Sequence, residues 1–342
     1  MALPDRRATG YRRAMQDAGA SSPAWPPGDG AGAASVSEQA VMAHFLARPG
    51  FLLARVDQIS TSIHGSLSAG ETLGQAEFLL LLDALGAVPQ ITLARAAGVD
   101  KSTTAYVLDN LQAHGLIARA ACPDDRRRAL VSLTDEGAAR IGRVRADYAE
   151  LQRQLAAPLA ADAMARLIAM LHALAAEGPA PLWVPACDPA RGVLDGAASF
   201  LLRRVLQSFQ AQFIACTPAL NLTLRQFSLL FILSTRPAIT QMGFARMFGL
   251  DPSTCAVIMR GLASRGMIEG RASDADRRER VHAITPQGRA ALRDVQPLVD
   301  RSEGLVFRGE TAAEIDWLVR QLQAIVRAYS QRLRFPGALA AL

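Results

Sequence analysis

Two short motifs, each present twice, carry the side chains that can do chemistry in this chain. Asp100-Lys101-Ser102-Thr103 returns as Asp251-Pro252-Ser253-Thr254, and Asp125-Arg126-Arg127 returns as Asp276-Arg277-Arg278, so both are offset by 151 residues. Hydroxyls that follow an aspartate suit the start of a helix, and paired guanidinium groups suit the recognition of phosphates and base edges. A repeat this long indicates a duplicated domain, because solenoid repeats span only ~20–50 residues.

Each motif lies at a fixed place in a repeated order of predicted elements. An opening helix is followed by an apolar helix, in which Glu77-Phe78 is aligned with Gln226-Phe227. Two short helices then meet at Gly98 or Gly249, where the chain must turn sharply, and this is the helix-turn-helix pattern. Alternating apolar and polar residues after the second short helix, 101–114 in the first copy, predict a β-hairpin wing. The predicted fold class is mainly α with small β-hairpin wings.

The repeat also sets the expected domain boundaries. Residues 1–36 are rich in Gly, Pro, Ser and Arg without a periodic apolar face, and we expect a disordered tail. The first winged-helix domain is predicted at 37–177 and the second at 193–335. Gly and Pro between them, at 178–192, cannot continue a helix and predict a linker.

The two motifs predict contacts with double-stranded DNA. The second helix of a helix-turn-helix presents its first residues to base edges in the major groove, and an arginine on a wing tip can enter a narrow minor groove. Helix capping alone, or a solvated charged turn, would explain either motif singly, but duplication at identical spacing favours DNA contact. The predicted DNA-binding residues are Lys101, Ser102, Thr103, Thr104, Tyr106, Asn110, Arg126 and Arg127 in the first copy, and Ser253, Thr254, Arg260, Arg277 and Arg278 in the second.

Composition excludes several other classes of function. The formal charge of +6 and a pI near 9.7 fit a polyanionic partner only weakly. Four cysteines stand far apart without metal-ligand spacing, so we expect reduced thiols, no metal and no cofactor. Scattered histidines give no nucleophile–base arrangement, and we predict no catalytic residues and no enzyme. Because no apolar run reaches the ~18 residues of a membrane span, a cytoplasmic protein without membrane contact is expected.

Taken together, these motifs resemble the MarR family of winged-helix regulators. The pattern Asp-x-Ser-Thr, Leu-x-x-x-Gly-Leu-Ile, Asp-Arg-Arg and Leu-Thr-x-x-Gly occurs twice, and in the second copy Ile284 replaces the leucine before Thr285. Tyr106 and Val257 replace a basic residue that is common in the family. The resemblance implies homodimer-like architecture with an interlocked helical base, here fused into one chain as a monomeric pseudo-dimer.

The resemblance also implies a function. We expect a sequence-specific transcriptional regulator, a repressor, that binds two unequal half-sites about one helical turn (~10 bp) apart. The alternative is a ligand-sensing or protein-interaction module in which one copy has lost DNA readout. Small aromatic or phenolic effectors release many relatives from DNA, although ordinary core packing also explains the aromatic residues concerned. The candidate ligand-binding residues are Phe51, His64, Phe78, Phe209, Phe213, Phe227 and Phe231.

Overall fold

The computed structural model describes residues 38–68, 70–121, 129–177, 194–236, 238–272 and 279–332. The expected tail, 1–36, and the expected linker, 178–192, lie outside these residues. The fold is mainly helical with small antiparallel hairpins, and this confirms the predicted fold class.

The first series of elements contains seven helices and three strands within the described residues. They are α1 (Glu38–Leu46), α2 (Pro49–Leu67), α3 (Leu73–Leu85), β1 (Val88–Pro89), α4 (Gln90–Ala97), α5 (Lys101–Ala113), β2 (Ile117–Ala121), β3 (Ala129–Leu133), α6 (Asp135–Ala156) and α7 (Ala163–Glu177). The strands form an antiparallel sheet in the order β1-β3-β2, with Ile117 opposite Leu133 and Val88 opposite Val131. The predicted β-hairpin is therefore present after the helix-turn-helix.

The second series repeats this order. It comprises α8 (Ala198–Cys216), α9 (Leu224–Thr235), β4 (Ile239–Thr240), α10 (Gln241–Phe248), α11 (Pro252–Ala263), β5 (Ile268–Ala272), β6 (Arg280–Ile284), α12 (Pro286–Val306) and α13 (Ala312–Tyr329), followed by a 3-10 turn at Ser330–Arg332. Its sheet has the order β4-β6-β5, with Ile268 opposite Ile284.

The compact units of the structure differ from the sequence repeats. The chain divides between Arg55 and Val56 and again between Ser208 and Phe209. We call Val56–Ser208 the inner unit, and the described residues on either side of it in the sequence form the outer unit. Both divisions fall inside long helices, α2 and α8, so each unit combines segments of both repeats. The reason is physical: the buried first turns of α2 and α8 each pack on the winged helix of the other repeat.

Helix caps correct one alignment made from the sequence. Thr72 and Gln75 form a capping box at the start of α3, and Thr223 and Gln226 form the same box at the start of α9. These caps are 151 residues apart, which places Glu77 opposite Ser228, so the alignment of Glu77 with Gln226 is wrong by two residues. The helices α2 and α8 are offset by only 149 residues, because the loop that follows α8 (217–223) is two residues longer than the loop that follows α2 (68–72).

Candidate DNA-binding interface

The helix-turn-helix of each repeat is built by local sequence signals. Gly98 and Gly249 end α4 and α10 in the left-handed region, with φ of 62° and 57°, where a side chain would be strained. Asp100 and Asp251 then begin the recognition helices, α5 and α11, by accepting backbone N–H bonds. The predicted turn and caps are confirmed in both copies, and they fix the direction in which each recognition helix leaves the turn.

The Asp100 carboxylate organises the first turn of α5. It accepts the backbone N–H groups of Ser102 and Thr103 at 2.9 and 3.0 Å, and it also accepts both of their hydroxyls. Partial burial raises the pKa of Asp100, but these hydrogen bonds outweigh burial and lower it to about 2. In α11, Asp251 accepts the N–H of Ser253 at 2.8 Å and its hydroxyl at 2.5 Å. The two carboxylates therefore cap the helices, and the hydroxyls that donate to them keep lone pairs that can face a ligand.

Most of the predicted contact residues lie on an accessible face. Lys101, Ser102 and Thr103 are exposed at the start of α5, and Tyr106 is 70% exposed one turn later. Asn110 is half-buried, and its amide nitrogen donates to the Tyr106 carbonyl at 2.8 Å. On α11 the exposed predicted residues are Ser253 and Arg260, whereas Thr254 is half-buried. The two recognition helices thus expose corresponding faces.

Thr104 does not belong to this face. It is fully buried, with its hydroxyl 3.5 Å from the Val99 carbonyl, and the prediction that it contacts DNA is wrong. Thr104 shares the inward face of α5 with Leu108 and Leu111, which are also buried. The residue matched to Thr104 in the second repeat, Cys255, is buried too, and burial raises the pKa of its thiol to about 11.

A pair of exposed apolar residues, which was not predicted from the sequence, lies on the first helices of the two helix-turn-helix motifs. Ile91 on α4 is 38% exposed, and Met242, its match on α10, is 49% exposed. On the recognition helices, Val257 is 61% exposed at the position that corresponds to Tyr106. The sequence signal for Ile91 and Met242 was an apolar residue at the same position of both repeats, outside the face of the short helix that packs into the core.

The predicted tips of the wings, Arg126, Arg127, Arg277 and Arg278, lie outside the described residues. The strands that lead to the first tip are tied to the recognition helix, because Arg119 on β2 pairs with Asp109 on α5 at 2.7 Å. Arg119 also donates to Gln112 at 2.7 Å. The base of this wing is therefore oriented relative to α5.

An open groove of about 580 Å³ lies between the recognition helix and the wing of the second repeat. Met242 and Met259 supply apolar lining, and Arg260 and Arg280 supply positive charge. His282 also lines the groove, and burial followed by the nearby Arg280 lowers its pKa, so the ring is neutral at pH 7. The groove offers both charged and apolar contacts beside α11.

Two buried arginines near the helix-turn-helix motifs were also missed. Arg204 on α8 donates from Nη1 to the Gly98 carbonyl at 2.9 Å, so an opening helix holds the turn before α5. Its match, Arg55 on α2, stacks over the rings of Phe51 and Phe248, 5.0 and 5.8 Å from their centroids. Burial and the neighbouring charge of Arg225 lower the pKa of Arg55 to about 9. The sequence signal for Arg55 and Arg204 was the presence of an arginine at the same position of both opening helices.

The candidate ligand-binding aromatics are divided between the two units. His64 and Phe78 belong to the inner unit and are buried, and burial lowers the pKa of His64. The members in the outer unit are Phe51, Phe209, Phe213, Phe227 and Phe231, of which only Phe51 is half-buried rather than buried.

Three of these outer-unit rings, Phe51, Phe227 and Phe231, take part in an aromatic cluster. Phe51 packs with Phe45 and Phe248 at centroid distances of 5.4 and 5.6 Å. Phe231 stacks on His44 at 4.7 Å. Such spacings are those of packed aromatic pairs in a core.

Neither a metal-binding cluster nor a membrane-spanning helix is found among the residues that the structure describes. Within those ranges, no group of three or more His, Cys, Asp or Glu side chains is placed to hold a metal ion. No helix in the described part of the chain is long and apolar enough to cross a membrane.

Comparison with known proteins identifies the class to which this winged-helix chain belongs. The MarR family model matches residues 72–129 and again residues 222–279. A probable transcriptional regulator from Pseudomonas aeruginosa is 34% identical, and the match covers 96% of that protein and 37% of this chain, with a TM-score of 0.36. The chain therefore belongs to the MarR family of transcriptional regulators, and it contains two copies of the family's domain.

Two further solved relatives show the same coverage. The PcaV transcriptional regulator from Streptomyces coelicolor, in complex with its natural ligand, is 31% identical over 96% of its length and 42% of this chain, with a TM-score of 0.37. The transcriptional repressor CouR, bound to a 23-mer DNA duplex, is 28% identical over 96% of its length and 40% of this chain, with a TM-score of 0.38. Each match has about the length of one repeat.

Proposed function

We propose that this chain represses transcription by binding double-stranded DNA sequence-specifically, with α5 in one half-site and α11 in the other. Side chains at the start of each recognition helix read base edges in the major groove. The wing arginines Arg126, Arg127, Arg277 and Arg278 contact the backbone or the minor groove beside them. CouR, a repressor solved on a DNA duplex, supports this assignment.

The observation that carries the proposal is the matched exposure of apolar side chains on the two helix-turn-helix motifs. Five large apolar side chains of the described residues are exposed, and four of them are Ile91, Met242, Tyr106 and Val257. They form two pairs at equivalent positions of the repeats. Exposed apolar groups beside polar caps suit contact with thymine methyl groups and sugars.

The two recognition helices differ enough to read different sequences. Tyr106 in α5 is replaced by Val257 in α11, so a large aromatic with a hydroxyl faces one half-site and a small aliphatic side chain faces the other. The cationic Lys101 is replaced by Pro252, which has neither charge nor N–H. We propose an operator with two unequal half-sites for this reason.

Fluorescence anisotropy with the DNA upstream of the chain's own gene tests the proposal. Tyr106→Ala and Val257→Ala each cost about 1–3 kcal/mol of binding free energy, the range for losing one base contact. The matched control is Ile214→Ala, because Ile214 is 56% exposed but belongs to α8 and not to a helix-turn-helix motif. Equal effects of all three variants, or no effect of any, would contradict the proposed interface.

A second candidate is a module in which one copy no longer reads DNA. The first turn of α11 favours it, since Pro252 and the half-buried Thr254 leave fewer polar groups exposed than α5 presents. In that case Tyr106→Ala weakens specific binding while Val257→Ala leaves it unchanged. Footprinting would then show protection of a single half-site.

We also propose that a small aromatic acid releases the chain from DNA. PcaV is solved with its natural ligand, CouR from Rhodococcus jostii RHA1 with p-coumaroyl-CoA, and BpsR from Bordetella bronchiseptica is regulated by 6-hydroxynicotinic acid. A ligand would enter the aromatic cluster beside Phe51, because the side chain of Phe51 is only half-buried.

Titration of the DNA complex with p-coumarate and with 6-hydroxynicotinate tests this proposal. A lowered DNA affinity that Phe51→Ala weakens, without a change in affinity when no acid is present, supports it. An unchanged DNA affinity with both acids contradicts it for these two compounds and their chemical class.

A further inference from the structure

The two opening helices dock on the other repeat at equivalent places but with different chemistry. In the outer unit, Glu303 on α12 accepts a backbone hydrogen bond from Gly50 on α2. In the inner unit, Gln152 on α6 accepts the backbone N–H of Ser199 on α8 at 3.3 Å. Positions 303 and 152 correspond in the repeat, as do positions 50 and 199. The docking geometry is therefore shared, and the side chains around it can be compared position by position.

The outer unit contains an ion pair at this docking site. Arg48 is the residue just before Pro49, the first residue of α2. Its Nη2 lies 2.6 Å from Asp300 Oδ1 and 3.2 Å from Glu303 Oε2, both on α12. The side chains of Arg48 and Glu303 are only 8% and 3% exposed. At the corresponding positions of the other docking site the chain has only uncharged residues, Ala197, Ala149 and Gln152.

The inner unit contains a different ion pair, which begins on α8 one turn after Ser199. Arg203 Nη2 on α8 lies 2.5 Å from Glu77 Oε2 on α3, and Glu77 is 1% exposed. Tyr148 on α6 approaches the other Glu77 oxygen at 3.5 Å. The residues that correspond to Arg203 and Glu77 are Ala54 and Ser228, which are uncharged.

A steric difference accompanies the two ion pairs. Gly50 on α2 packs against Phe209 on α8, and a Cβ atom at position 50 would lie 2.2 Å from the Phe209 ring. The residues that correspond to Gly50 and Phe209 are Ser199 and Ser60. The contact between a glycine and a large ring is therefore replaced, at the other docking site, by two small side chains. Close packing makes such a contact selective, because an added carbon has no room.

Pairing a repeat with a second copy of itself would place these groups against the wrong partners. With two first repeats, Arg48 would face Ala149 and Gln152, and Glu77 would face Ala54. With two second repeats, Arg203 would face Ser228, Glu303 would face Ala197, and the Cβ of Ser199 would meet Phe209. Each like pairing would bury charges without a counter-charge, which is strongly destabilising.

We infer that these three contacts are specificity determinants, which restrict each opening helix to the winged helix of the other repeat. The partner surface for one half of the chain is the complementary half of the same polypeptide, and the chain closes on itself as a monomer. A symmetric homodimer has two identical docking sites and needs no such distinction. A fused chain presents the complementary half at high effective concentration, and the determinants exclude exchange with a like half of another molecule.

Moving the ion pair tests the inference in the full chain. The first variant, Ala54→Arg with Arg203→Ala, transfers only the arginine to the other opening helix. Glu77 then loses its partner within the chain, and it would gain a new arginine partner only from the first repeat of another molecule. The second variant adds Glu77→Ser and Ser228→Glu, which transfers the carboxylate as well. The control, Arg203→Ala with Glu77→Ser, removes the pair without moving it.

The measurements are the molar mass from sedimentation over a concentration series and the midpoint of thermal unfolding, Tm. We expect the wild type and the control to be monomers. The first variant has a lower Tm and forms dimers or larger species as concentration rises, and the second variant regains the monomer and most of the lost Tm. A first variant that matches the wild type, a second variant that is no better than the first, or a control that dimerises would overturn the inference.

Discussion

Replacing Arg204 by alanine should loosen the helix-turn-helix of the repeat to which Arg204 does not belong. Arg204 lies on α8 of the second repeat, but its Nη1 donates to the Gly98 carbonyl at the turn before α5, in the first repeat. A hydrogen bond from a charged donor contributes about 1.5–3 kcal/mol. We expect Arg204→Ala to lower the free energy of unfolding by about this amount, and to weaken protection of the α5 half-site more than that of the α11 half-site.

Thermal unfolding and hydroxyl-radical footprinting of the same samples measure both effects. Gln207→Ala is the matched control, because Gln207 accepts from the same Nη1 at 3.0 Å but lies on α8, three residues after Arg204. Arg55→Ala should act on the α11 half-site instead, since Arg55 lies over the ring of Phe248, next to Gly249. Equal loss at both half-sites in Arg204→Ala, or loss confined to α11, would refute the reasoning.

Three further predictions follow from the described contacts. The pKa of Asp100 is lowered from 3.8 to about 2, so the stability that its carboxylate contributes is present above pH 3.8 and lost as pH falls through about 2. The Tm difference between wild type and Asp100→Asn should therefore shrink over that range, and a constant difference would disprove the cap's role. Thr104→Val should leave DNA affinity unchanged in anisotropy while Tyr106→Ala weakens it, because only Tyr106 is exposed; matching losses would restore Thr104 to the interface. Gly50→Ala should cost about 1–3 kcal/mol of unfolding free energy through overpacking. In the double variant, Phe209→Ala should recover part of this loss. Strictly additive losses in chemical denaturation would rule out the steric contact.

The features that the sequence predicted well are local. The turn at Gly98, the cap at Asp100 and the hairpin after α5 depend on residues only a few positions apart, and each was found where it was expected. The burial of Thr104 was readable too, because it lies four residues before Leu108 on one face of the helix. The capping boxes at Thr72 and Thr223 were also visible, and they would have given the correct alignment of α3 with α9.

The features that could not be predicted depend on long-range packing. Arg204 and Gly98 are 106 positions apart, and no local pattern indicates that they meet. The same holds for Arg203 with Glu77 and for Arg48 with Asp300, where each charge appears in only one of the repeats. A repeat in sequence indicates two similar folds, but it does not indicate which opening helix packs on which winged helix.

Hydroxyl-radical footprinting of the full chain on its own upstream DNA tests the central claim most directly. Wild type should protect two unequal half-sites about one helical turn (~10 bp) apart. Tyr106→Ala should remove protection from one half-site, and Val257→Ala should remove it from the other. Protection of one half-site only, or loss of the same half-site in both variants, would contradict the account that α5 and α11 both read DNA.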